Sequence, residues 1–139
     1  MPICHGTEPV ADDELLYRRI PVSMGWYSEK GLSPEAFDPH DEEKSGISVY
    51  RAKYRTIQEV AKGLSKKGYY VAVLRAGDLR RRGIAVEPRP GPNDPGHAEL
   101  PGLTCDNRLS REGLECKVLL AKLCLEVRGP FPSAEESQR

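Results

Sequence analysis

The sequence predicts an α+β fold: a compact single domain with a small mixed or antiparallel sheet, one central amphipathic helix and a C-terminal helix. Three observations carry this. Residues 56–68, TIQEVAKGLSKKG, read as a capped helix, because Thr56 can accept from the amide three residues on while Glu59 bonds back to the cap. Residues 69–74, YYVAVL, are aromatic, β-branched and apolar on both faces, as suits a strand inside a sheet. A helical turn, AGDLRRRG, and a further strand, IAVEP, follow at once, leaving no room for a long crossover helix. The sequence therefore predicts adjacent strands in a mixed or antiparallel sheet rather than a doubly wound one.

Composition narrows the function classes without choosing one. The chain has 139 residues, the size of one domain, and 38% of them are hydrophobic, enough for a modest core. Lys+Arg and Asp+Glu both number 21, so net charge argues neither for nor against nucleic acid. Cys4, Cys105, Cys116 and Cys124 form no CxxC pair and no signal peptide is recognisable, so reduced thiols in a cytoplasmic protein are expected. No apolar run is long enough for a membrane helix.

In chain order, residues 1–11 are expected to be flexible. Residues 14–20, ELLYRRI, read as a strand because Pro21 favours an extended Ile20. Alternation sets Leu16, Arg18 and Ile20 against Leu15, Tyr17 and Arg19, so one arginine shares a face with aliphatic residues. Its head group must then reach a cleft or a carboxylate. Residues 21–44 are loop-rich, with Ser33 capping a short turn that has Pro34 at its first position. Trp26 and Tyr27 there either cover the core or form the wall of a groove. GISVYRA, 46–52, gives a second strand with Ile47, Val49 and Arg51 on one face and Ser48, Tyr50 and Ala52 on the other.

In the central helix, Ile57, Val60, Ala61 and Leu64 form the apolar stripe, Lys62, Lys66 and Lys67 reach water, and Gly68 ends the helix. RPGPNDPG, 89–96, is a stiff excursion leading to a strand HAEL at 97–100. The last helix is expected over 109–128, capped by Ser110, with Leu114, Val118, Ala121 and Leu125 as its stripe and Gly129 and Pro130 as its stop. The ordered domain is thus expected at 12–129, followed by a flexible tail at 130–139.

No P-loop, GxGxxG, HExxH or GxSxG pattern occurs, and His5, His40 and His97 are too isolated to predict a metal site. His97 and Glu99 alternate onto one face of their strand. They read either as a cleft rim, where each could act as base or orient a hydroxyl, or as an exposed edge strand. The basic stretch 66–82 (Lys66, Lys67 and Arg80 to Arg82) could meet RNA phosphates or be a solvated charge run. The acidic clusters Asp12, Asp13, Glu14 and Asp41, Glu42, Glu43 could meet a protein partner.

The segments LYRR (16–19), GLSPEAF (31–37), GISVYRA (46–52), YYVAVLRAGDLRRRGIAV (69–86) and HAEL (97–100), in that order, resemble the layout of the ADP-ribosyltransferase-like proteins. That group includes NAD-dependent toxins and the small RNA 2'-phosphotransferases, and the resemblance covers about residues 17–102. Its arginine–serine–glutamate branch matches Arg18 or Arg19, Ser48 and Glu99. The resemblance implies NAD as cofactor and ADP-ribosyl transfer or NAD glycohydrolysis as activity. The arginine would anchor a phosphate or ribose, Ser48 would support the nicotinamide-ribose pocket, and Tyr50 or Trp26 would stack on nicotinamide. Glu99 would hold a ribose hydroxyl and stabilise the cationic sugar formed as nicotinamide leaves. ISVYRA keeps one serine of the family's serine–threonine–serine, and His97 stands where a second acidic residue or glutamine is common.

Two other classes remain open: a protein-interaction module, such as a bacterial accessory or neutralising protein using its acidic loops or C-terminal helix, and a small RNA-binding domain. Each class makes a different structural demand. The enzyme needs Arg18 or Arg19, Ser48 and Glu99 around one concavity. The interaction module needs an exposed apolar patch, for which Leu114, Val118 and Leu125 are the candidates. The RNA binder needs the charges of 66–82 on one continuous face.

Overall fold

The computed structural model describes residues 6–40, 43–62 and 68–132. Among the described residues there are eight strands: β1 (Leu15–Pro21), β2 (Tyr27–Ser28), β3 (Gly31–Leu32), β4 (Ile47–Arg51), β5 (Tyr69–Arg75), β6 (Glu87–Pro88), β7 (His97–Leu100) and β8 (Glu126–Phe131). Three α-helices join them: α1 (Ile57–Val60), α2 (Ala76–Arg81) and α3 (Arg111–Leu123). Six strands form one sheet in the order β6-β7-β4-β1-β5-β8, every pairing antiparallel, while β2 and β3 make a small separate hairpin. The α+β class and the antiparallel arrangement expected from the sequence are what the chain adopts.

Period-two alternation divides the sheet into two unlike faces. Leu16, Ile20, Ile47, Val49, Ala72, Leu74, Ala98 and Leu100 point to the first face, where Phe37, Leu79 and Leu120 cover them. Phe37 belongs to the 3-10 turn Pro34–Phe37, whose Ser33 cap accepts from the Glu35 amide as the sequence predicts. Tyr69, Val71 and Val73 point to the second face, under Ile57, Val60 and Ala61 of the α1 turn. That cover also touches Leu15, Tyr17 and Tyr50 but leaves the β4–β7 side of the second face half-exposed.

Several elements depart from expectation. The Thr56–Glu59 capping box forms in both directions, yet α1 is only four residues, with Ala61 as its C-terminal cap. Leu64, Lys66 and Lys67 lie outside the described residues. The strand after α2 is reduced to Glu87–Pro88, and it is not adjacent to β5, whose two sides are taken by β1 and β8. The chain crosses the sheet instead and lays β6 on the far edge, against β7. His97 and Glu99 are consequently one strand in from the edge.

The C-terminal helix is the largest correction. It stops at Leu123, Cys124 turns extended, and Glu126–Phe131 forms an edge strand rather than helix and tail. The buried face of α3 holds Gly113, Lys117 and Leu120, while Leu114, Val118 and Leu125 are 48%, 42% and 46% exposed. Val10 lies in the main core and Phe131 packs on the second face. Among the described residues no helix is long and apolar enough to cross a membrane.

Candidate functional site

The backbone opens a gap between two adjacent strands. β1 pairs with β5 along all seven of its residues, but with β4 only at Leu16↔Arg51 and Tyr17↔Tyr50. Beyond Tyr17 the ladder is replaced by side chains. Arg18 Nη1 donates to the Ser48 carbonyl at 3.0 Å, and the Glu43 carboxylate accepts from the Ser48 amide. A buried strand edge must find such substitutes, because an unpaired backbone group would otherwise cost about as much as a lost hydrogen bond.

Arg18 and Glu43 form the floor of this gap. Arg18 Nη1 lies 2.8 Å from Glu43 Oε2 and Nη2 lies 3.3 Å from Oε1, with both side chains almost fully buried. Arg18 donates further to the carbonyls of Ala36 and Asp38. Burial alone would push the Glu43 carboxyl up. The Arg18 charge and hydrogen bond, with the His40 and Ser48 amides, outweigh it and hold the group below its ordinary value. The arginine that shares a face with aliphatic residues therefore reaches a carboxylate, as its position in β1 requires.

Above this floor lies a polar recess of about 210 Å³ lined by Arg18, Arg19, His40, Glu43, Ser48 and Tyr50. Arg19 is half-buried, with its guanidinium over the Tyr69 ring at 4.8 Å and donating to the Lys62 carbonyl. Ser48 Oγ is 3.0 Å from His97 Nε2, and His97 Nδ1 is 2.9 Å from the Arg89 carbonyl oxygen. Tyr50 meets the His97 ring edge-on at 5.8 Å and carries the Arg55 guanidinium 5.0 Å from its own ring. Glu99 stands directly opposite Ser48 in the β4–β7 register. Its carboxylate accepts from Ser45 Oγ at 3.0 and 3.1 Å and lies 3.4 Å from Arg89 Nε.

Of the residues singled out from sequence, Arg18, Arg19, Ser48 and Tyr50 share the recess and His97 joins it through Ser48. Glu99 sits one cross-strand position away, outside the lining. Trp26 lies elsewhere, packed against the main core, so it is no wall of this recess. Sequence reasoning missed Glu43, which it placed in a surface acid cluster. The only signal was the demand of Arg18 for a carboxylate, which no spacing could assign across 25 residues.

Two further regions bear on the alternatives. On α3, an apolar hollow of about 410 Å³ is lined by Arg82, Leu114, Glu115, Val118, Leu119 and Lys122, none of which lines the polar recess. In the basic stretch, Arg80 pairs with Asp12 at 2.9 Å and Arg81 with Asp78, so these charges are partly neutralised within the chain. Among the described residues, no group of three or more His, Cys, Asp or Glu is placed to hold a metal ion. No family model, curated protein or solved structure matches the chain.

Proposed function

We propose that the gap between β1 and β4 is a nucleotide site that uses NAD, and that the protein transfers ADP-ribose or hydrolyses NAD in the manner of the ADP-ribosyltransferase-like proteins. The observation that carries this reading is the recess itself: Arg19, Ser48 and Tyr50 line one concavity, with Glu99 opposite Ser48 on the neighbouring strand. Arg18 is saturated by Glu43 and three carbonyls, so the contact with a phosphate falls to Arg19. A volume of about 210 Å³ is below the roughly 300 Å³ where sites for drug-sized ligands begin. The recess thus suits the nicotinamide-ribose end of the dinucleotide, with the remainder over the half-exposed face beside β7.

Chemically, departure of nicotinamide leaves positive charge on the ribose carbon, and a fixed carboxylate stabilises that charge more than it stabilises the ground state. Glu99 supplies the carboxylate. Calorimetry with NAD, combined with nicotinamide-release assays on wild type and Glu99→Gln, tests the reading. The expected result is binding below millimolar NAD and a release rate that falls roughly 100-fold in the variant, the scale of losing one preorganised electrostatic group. Absence of binding at millimolar NAD overturns it.

A second reading has its own support in the exposed Leu114 and Val118 above the α3 hollow, which fit a protein-interaction surface. Sedimentation velocity over a range of concentrations, on wild type and the Leu114→Glu/Val118→Glu double variant, tests its self-associating form. A mass that rises with concentration only in the wild type supports it; identical monomeric behaviour removes it.

A further inference from the structure

We infer that His97 is the general base of this site, drawing a proton through Ser48 from a hydroxyl acceptor, either water or an alcohol. The inference rests on the nucleotide reading and names what attacks the sugar. It begins from the hydrogen-bond inventory of one imidazole. The Arg89 carbonyl can only accept, so the His97 Nδ1 at 2.9 Å from it carries the ring proton. In the neutral ring Nε2 then has a free lone pair, and the Ser48 hydroxyl 3.0 Å away donates to it. Ser48 keeps its own oxygen lone pairs for a group in the recess that it lines.

Such a pair can either make Ser48 a nucleophile or make it a relay. The Ser48 amide decides between them. In acyl transfer, the nucleophile's own backbone N–H is a ready donor to the oxyanion, but here that amide is bound to the Glu43 carboxylate. A negative group occupies the place where negative charge would have to develop. Proton relay needs no such donor, and it leaves Ser48 unmodified.

The step balances. The bond from ribose C1' to the nicotinamide nitrogen breaks, and its electron pair neutralises the nicotinamide. An acceptor oxygen lone pair forms the new bond to C1'. The acceptor proton passes to Ser48 Oγ as the Ser48 proton moves to His97 Nε2, leaving an imidazolium. The groups around that imidazolium are Ser48 and Tyr50 from β4, Glu99 two residues along β7, Arg89 at the carbonyl end and Arg55 beyond the Tyr50 ring.

Two measurements test this. Long-range nitrogen–proton NMR on the ligand-free protein reads the His97 tautomer without any substrate, and Nδ1–H is expected. The Nε2–H tautomer overturns the assignment whatever NAD does. In parallel, NAD affinity and nicotinamide release are measured across pH for wild type, His97→Gln and Ser48→Ala. The expected result is affinity within about threefold of wild type in His97→Gln, release at saturating NAD reduced by roughly 100-fold or more in both variants, and the acid limb of the rate profile lost in His97→Gln. Wild-type release rates in variants that still bind NAD overturn the base role and leave the nucleotide reading standing. Failure of the wild type to bind NAD removes both.

Discussion

Arg18 and Arg51 share the buried face of the sheet with Leu16 and Ile47, where a guanidinium keeps its charge and is costly unless paired. Each is satisfied by carboxylates and carbonyls from distant segments. Arg18 has Glu43, while Arg51 pairs with Glu14 at 2.9 Å and Glu8 at 3.4 Å and donates to the carbonyls of Gly6, Glu8 and Pro9. Removing one partner of a buried pair leaves an uncompensated charge and costs on the order of 3–5 kcal/mol. Glu43→Gln is therefore expected to lower stability by about that much in urea unfolding at neutral pH. The same pair sets a pH dependence. The Glu43 pKa is lowered in the folded protein, so its contribution is complete above the ordinary value near 4.5 and drains away as pH falls through the folded-state pKa. Wild type should lose stability on acidification through that range more steeply than Glu43→Gln. Parallel acid profiles for the two proteins would show that Glu43 does not titrate as its surroundings require.

At the scale of elements, α3 explains both what the sequence revealed and what it hid. A 3.6-residue period allows more than one stripe, and Leu114, Val118 and Ala121 make the more apolar one, of which Ala121 touches the main core while Leu114 and Val118 are exposed. The stripe that packs contains Gly113, Lys117 and Leu120. Lys117 can be buried only because Asp38, 79 residues earlier, lies 2.9 Å from its ammonium, and Gly113 is needed because a side-chain carbon there would fall 2.0 Å from the Asn107 carbonyl. Neither partner is visible from the helix itself. By contrast β1, β4 and β7 were legible because alternation and Pro21 fix them locally, β5 because it is β-branched and apolar on both faces, and the Thr56 and Ser110 caps because they act within three residues. The gap between β1 and β4 was not legible, since it depends on Glu43 meeting Arg18 across the fold. The packing asymmetry of α3 is measurable. Leu120→Ala, which empties a fully buried site, should cost about 2–5 kcal/mol, whereas Leu114→Ala should stay within about 1 kcal/mol. Equal losses in thermal or urea unfolding would mean that the exposed stripe is the packed one.

Over the whole molecule, the sheet must end on two edges without inviting another chain to extend it. One edge is β6, only two residues long and closing in Pro88, which has no amide proton to offer. The other is β8, which carries Glu126, Arg128 and the Gly129–Pro130 break along its length. Between them lies β5, which has neither safeguard: Tyr69, Val71, Ala72 and Val73 pair with β8 and contain no charge or proline. The segment that reads in sequence as a helix end and loose tail is thus the guard of the most β-prone strand in the chain. Truncation after Cys124 removes that guard along with Phe131 from the second face. The shortened protein is expected to show a lower thermal midpoint and an apparent mass that climbs with concentration beyond that of the full chain. Infrared spectra of the larger species should carry the signature of intermolecular β pairing, because the exposed β5 edge is the template. If the truncated chain instead remains as dispersed as the full one, β8 is dispensable as an edge guard.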